Sequence, residues 1–329
     1  MAFRALPPLV ISMLASHRHR LRHFLWHAVR GAWNDPRLTP DVRAFITAKG
    51  WAPPDGRAPF ASDGTLILDN FAGEDFLYMH RQMIREVNDL LAQNGEQPLD
   101  AWREIPKPAS AELPVPPPWA YADPDATPQQ NQAAEARLKS VKSAGYFADT
   151  LAVWERFYTH PATLRRLSLG AYGNLLEMTI HNNLHMRWAS EPVGYMPSPN
   201  LEDTAAIDAR WDQPDYDYMG DTYSSHVNAA FWYLHGWIDQ CVDRWQAANG
   251  VDEVAWRGTW TGKLEEPWQP GAALVITPKT RAAALETVGL AAGDHHHHDD
   301  GDVAEMEEIV KRLGGCRVVR NLYDLLFEP

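Results

Sequence analysis

Apolar positions recur at three- and four-residue spacing through most of the chain, which is the signature of helices with one buried face. Residues 15–33 read as a helix. "LTPDVRAFITAKG" follows, with Thr39 placed to cap it, Pro40 at its first position and Gly50 as its stop. "GEDFLYMHRQMIREVNDLLAQNG" is amphipathic and ends at Gly95. The helical period resumes in "NQAAEARLKSVKSAGYFADTLAVWERFYTH", around 163–190, and in "NAAFWYLHGWIDQCVDRWQAANG". Proline- and glycine-rich connections separate these runs: 51–70 with one strand-like piece, "TLILD", then 104–130 and 191–217. From 255 the tail mixes strand-like pieces such as "AALVITP" with a last helix, "DVAEMEEIVKRLGG". The pattern predicts a mainly α protein with a helical domain over 1–254 and a small mixed C-terminal extension over 255–329.

Composition narrows the class. Of 329 residues, 45% are hydrophobic and 14 are tryptophan, ample for a core. No run approaches the roughly 20 apolar residues needed to span a bilayer, and the two prolines in "ALPPLVISMLAS" argue against a signal peptide, so a cytoplasmic address is expected. Cys241 and Cys316 cannot build a disulfide framework. A net charge of −13 speaks against nucleic acid as a partner, since phosphate binding needs a basic face. "HRHRLRHFLWHAVR" at 17–30 is a local exception, which a solvated basic helix would explain.

The histidines carry the chemistry. "HNNLH" places His181 and His185 four residues apart, on one helical face, where two imidazoles can share a metal. Asn182 stands where a zinc peptidase needs its glutamate base, so that chemistry is excluded. "HFLWH" gives His23 and His27 the same spacing, although His19 and His23 form an alternative pair. His80 follows His27 by 53 residues and His235 follows His185 by 50, each on a further helix. Two copies of one pattern could thus each supply three imidazoles. Such donors suit copper best among divalent first-row ions. The absence of carboxylate ligands disfavours di-iron bundles. One three-histidine zinc site remains possible for either half alone.

At these residues the chain resembles the type-3 dinuclear copper proteins: arthropod hemocyanins, phenoloxidases and tyrosinases. "HFLWHAV" and "GEDFLYMHRQM" look like the first copper site of that family, and "HNNLH" with "YMGDTYSSHVNAAFWYLHGWID" like the second. The resemblance runs over about residues 20–250 in four short islands. It implies a central antiparallel helix bundle holding two copper ions on His23, His27, His80 and on His181, His185, His235. It further implies dioxygen as co-substrate and a small phenolic or aminophenolic substrate, hydroxylated or oxidised to a quinone. A dioxygen carrier, or an oxidase using one metal or another metal, stays open as an alternative. Asn228 and Ala229 replace the usual Asp-Pro, no cysteine lies near the first site, and no counterpart of the flanking domains of hemocyanins is expected.

Around the ligands, Asn182 and Asp221 are expected to orient a water that takes a phenol's proton, with Glu177 as a further candidate. Asp239, one turn after His235, would hold the site or form a salt bridge. Phe231 would pack on a ligand ring or simply fill the core. His226 is either a pocket residue or a surface histidine, His160 a helix-end residue, and the "HHHHDD" run at 295–300 a solvated loop.

Overall fold

Caps and breakers set the helix limits much as their chemistry requires. In the computed structural model, which describes residues 4–110, 113–202, 204–263 and 300–314, the chain is mainly helical. Helix α1 spans Pro8–Leu14 and α2 spans His17–Ala32, whose first turn is capped by the Ser16 hydroxyl accepting from the His19 N–H. Helix α3 (Pro40–Ala48) has Thr39 as its cap, and Gly50 beyond it adopts φ 77°, the left-handed region that glycine enters without strain. Helix α4 (Ala72–Gln93) is the long amphipathic one. After the irregular proline-rich segment, α5 (Pro128–Lys142) opens with a capping box between Thr127 and Gln130. Helix α6 (Ala152–Thr159) precedes α7 (Leu169–Leu176) and α8 (Asn182–Trp188), and α9 (Ala229–Asn249) begins at an Asn228 cap. That cap does locally what an Asp-Pro start would do. Helix α10 (Asp300–Arg312) lies against α2 and α3.

The strand-like run at 65–69 makes one isolated antiparallel bridge, Phe60 with Leu66, and no sheet forms among the described residues. The run "AALVITP" and the histidines at 295–298 lie outside the described residues.

Two features fix where α4 sits. The first is steric. Helices α4 and α7 meet backbone to backbone: a Cβ on Gly73 would fall 2.1 Å from the Gly170 carbonyl oxygen, and one on Gly173 would fall 2.1 Å from that of Gly73. Only glycine permits this approach. The second is electrostatic. Glu74 accepts from the backbone N–H groups of Arg257 and Gly258, at 2.7 and 3.0 Å, and Asp75 accepts from that of Trp260 at 2.8 Å. These carboxylates therefore do two jobs at the N-terminus of α4: they favour its dipole and they bind the segment after α9.

The turn Glu177–His181 between α7 and α8 is π-helical rather than α-helical. Such widened turns occur mostly as single bulges inside helices, often at functional positions. Here the bulge ends on His181. Arg30 of α2 reaches the same turn and makes two hydrogen bonds to Glu177, at 2.7 and 3.0 Å, and a third at 2.8 Å to the Ala72 carbonyl. Both ionic side chains are buried, so α2, α4 and the π-turn are tied at one point. No described helix is long and apolar enough to cross a membrane.

Candidate metal centre

Six histidines from four parts of the chain meet in the interior. His23 and His27 come from α2, His80 from α4, His181 and His185 from the π-turn and α8, and His235 from α9. All six are buried. The ligand atoms of His23, His27 and His80 lie within 4.8 Å of one another, and so do those of His181, His185 and His235. The structure thus groups His23 with His27 rather than with His19. His19 instead sits near the helix start, 3.1 Å from the Ser16 hydroxyl and 3.5 Å from the Glu86 carboxylate.

The triads abut through their third members. The rings of His80 and His235 stack with centroids 4.3 Å apart and planes 17° apart. Each of these histidines donates from Nδ1 to the carbonyl four residues earlier, His80 to Phe76 at 2.9 Å and His235 to Phe231 at 2.8 Å. That bond fixes the tautomer and leaves the Nε2 lone pair for a ligand. His185 is held likewise by the Met219 carbonyl at 2.9 Å, and His181 faces the Asn182 side-chain oxygen at 2.9 Å. Nε2 of His181 lies 3.0 Å from Nε2 of both His185 and His235. Three imidazoles on one tetrahedral ion would place these atoms about 3.3 Å apart, given metal–nitrogen bonds of about 2.0 Å. In the other triad, Nε2 of His23 and of His80 is buried without a hydrogen-bond partner.

Burial dominates the electrostatics. Desolvation pushes the His23 imidazole down to about 3 and that of His185 to about 4, and it lowers His27, His80, His181 and His235 well below the ordinary value. Neighbouring imidazoles add to this for most of them. Six neutral rings with lone pairs aimed inward, two of them otherwise unsatisfied, are a donor set that fits two metal ions.

The surroundings are apolar and aromatic. Phe231 stacks on His235 at 3.7 Å, and Phe76 lies 4.7 Å from His80 and 5.0 Å from His181. Phe76 was not among the residues expected at the site. A signal was there: "FLYMH" and "FWYLH" share the pattern Phe-x-Tyr-x-His, and the two phenylalanines occupy matching places beside their histidines.

The polar residues expected near the site have definite partners. Asn182 faces the ring of His181, and its own Nδ2 is buried without a partner. Asp221 is buried and accepts from the Tyr216 hydroxyl at 2.7 Å and from the Ser224 N–H and hydroxyl at 2.6 and 2.7 Å. Its carboxyl is pushed up by burial, against the pull of these donors. Glu177 is held by Arg30, as described. Asp239 pairs with Arg81, joining α9 to α4 one residue past His80. His160 caps the short helix that begins at Pro161, accepting from the Ala162 N–H. His226 is buried, 3.1 Å from His23.

A cavity of about 330 Å³ opens beside the first triad, between α2 and α4. Its walls include His23, His226, Trp26, Trp232, Tyr78 and Gln82, whose Nε2 is buried without a partner. His226 reaches this wall because the loop before α9 folds back onto α2.

No protein-family model matches this chain, and no curated protein matches it either.

Proposed function

We propose that this protein is a dinuclear copper oxidoreductase with a mainly α-helical bundle around its site. It would use dioxygen to hydroxylate a phenol, or to oxidise an ortho-diphenol or aminophenol to a quinone. The observation that carries this reading is the pair of all-histidine triads, buried, neutral and abutting through the stacked rings of His80 and His235. Imidazole sets without carboxylates favour copper over iron or manganese, and two equivalent sets side by side favour a pair over a single ion. Copper would be held by His23, His27 and His80 on one side and by His181, His185 and His235 on the other. Bound there, it would supply the redox chemistry toward dioxygen.

The chain's own residues do the rest. The Phe76, Phe231, Trp26 and Trp232 rings exclude water and keep the imidazoles neutral. Carbonyls of Phe76, Phe231 and Met219 hold three ligand rings in their metal-binding tautomer. Asp221 pins the loop that presents the Met219 carbonyl, and Asn182 steadies His181. The cavity beside His23 is large enough for one aromatic ring and offers faces for it to stack on, with Gln82 as a donor to a polar substituent. That opening favours an enzyme over a dioxygen carrier, which would need to keep phenols out.

Copper reconstitution followed by elemental analysis tests the site, with two coppers per chain expected. One metal only, or a zinc ion resisting exchange, would overturn the dinuclear reading. Dioxygen uptake with a panel of phenols, catechols and aminophenols tests the activity. Reversible dioxygen binding with no turnover of any of them would leave the carrier.

A further inference from the structure

His23 differs from His80, His185 and His235 in having a second imidazole at its Nδ1. His80, His185 and His235 each meet a backbone carbonyl, which can only accept a proton. Nδ1 of His23 lies 3.1 Å from Nδ1 of His226, with a backbone hydrogen bond to Thr222 as a second partner of the ring. An imidazole nitrogen can donate or accept. The His23–His226 contact by itself therefore leaves two tautomers open, and only one of them lets His23 bind a metal through Nε2.

Leu14 decides between them, in the same sense as the Thr222 backbone. Nε2 of His226 lies 3.0 Å from the Leu14 carbonyl oxygen, in a buried place. The oxygen must receive a proton, so the hydrogen of His226 sits on Nε2 and its Nδ1 carries the lone pair. His23 must then donate from Nδ1, and its Nε2 lone pair is free to point at the triad. The opposite arrangement would set two lone pairs against each other at Leu14 and leave both unsatisfied. The Trp232 indole holds the backbone of His226 by donating to its carbonyl at 2.9 Å. Both ring nitrogens of His226 are thereby engaged, so it is not a seventh ligand.

We propose that His226, anchored by the carbonyl at the end of α1, is a positioning residue that, together with the Thr222 backbone, fixes His23 as an Nε2 donor to the first metal. The inference rests on the reading of the triads as metal sites. It makes the N-terminal helix part of that site's support, with no equivalent at the second triad. Groups that orient ligands in this way are commonly worth ten- to a hundredfold in metal affinity.

The test combines metal titration with histidine tautomer assignment. Against a chromophoric competitor, the wild-type chain should bind two equivalents of copper(I). His226→Leu should keep one tight equivalent and weaken the other about ten- to a hundredfold. His226→Gln, whose side-chain oxygen can accept from His23, should recover most of the loss; a residue of merely structural importance would not show this rescue. Long-range ¹H–¹⁵N spectra of the metal-free protein should show His23 protonated on Nδ1 and His226 on Nε2, whether or not the leucine variant folds well. Two tight equivalents in a folded His226→Leu chain, or the opposite tautomers, would overturn the proposal and leave the metal reading standing. A wild-type chain that binds no copper would overturn both.

Discussion

The two triads use the same residues in the same spacing yet are built differently. The second is closed: its three Nε2 atoms converge to 3.0 Å around His181, and carbonyls in helix and loop hold its rings. The first is looser. Its ring centroids lie 4.9 to 5.9 Å apart against 4.5 to 5.3 Å in the second, its Nε2 atoms on His23 and His80 have no partner, and it borders the cavity. Sequence spacing sets which imidazoles can meet, while the elements behind them set how tightly. On the proposed dicopper reading, the asymmetry fits a division of labour in which the second site would hold its ion firmly and the first would face the incoming molecule.

The strongest challenge to that comparison is to strike what the triads share. Gly73→Val drives a side chain into the backbone of α7, next to the helix path that carries His181 and His185, and α4 carries His80. Overpacking against backbone should cost at least about 3 kcal/mol, with both metal equivalents lost together. Urea unfolding and metal titration of the variant check this; survival of either site alone would show that the triads do not rest on a common glycine contact.

A somewhat smaller effect is expected from Glu177→Gln. It leaves Arg30 buried without its carboxylate, and removing one partner of a buried pair costs about 3–5 kcal/mol. Amide substitution keeps one acceptor, so the lower end applies. Because Arg30 lies three residues after His27 and Glu177 four before His181, the loss should loosen the second triad toward the openness of the first. Denaturation midpoints and the affinity gap between the two equivalents measure it. An unchanged gap would mean that the pair serves stability alone.

The gentlest effect near neutrality is the pH dependence of the metal-free chain. In the unfolded state these histidines titrate near 6.5, while burial places His185 at about 4 and His23 at about 3. Between those values the unfolded chain binds more protons, so stability is greatest above about pH 6.5 and declines as pH falls toward 4 and then 3. Thermal melting from pH 7.5 down to 5 should show a steady fall in midpoint. A flat profile would mean that water reaches the imidazoles, and the contrast between a closed and an open triad would lose its basis.

Much of this was legible in the chain. The i, i+4 histidine pairs, the cap at Thr39 and the stops at Gly50 and Gly95 depend on local geometry, which spacing and residue type dictate. The choice between His19 and His27 as the partner of His23 could not be resolved that way, because one helical row offers both. Tertiary packing resolved it by placing the Glu86 carboxylate beside His19. The fates of Asp221, Glu177 and Asp239 were hidden for the same reason: Tyr216 and Ser224, Arg30 and Arg81 approach from elsewhere in the fold. Nothing in the local sequence around Gly73 and Gly173 signals the close crossing of α4 and α7 that gives these glycines their purpose.

The π-turn at Glu177–His181 has one more consequence, and it concerns phase. A wide turn sets each residue beneath the fifth one on rather than the fourth, so it rotates everything after it relative to everything before. Glycines 170 and 173 precede the break and address α4; His181 and His185 stand at its end and beyond it, where the ordinary period is restored. The helix can therefore satisfy two neighbours whose directions no uninterrupted α-helix of this length would reconcile. Read as a gear, it has one extra tooth, cut where the contact partner changes from backbone to imidazole.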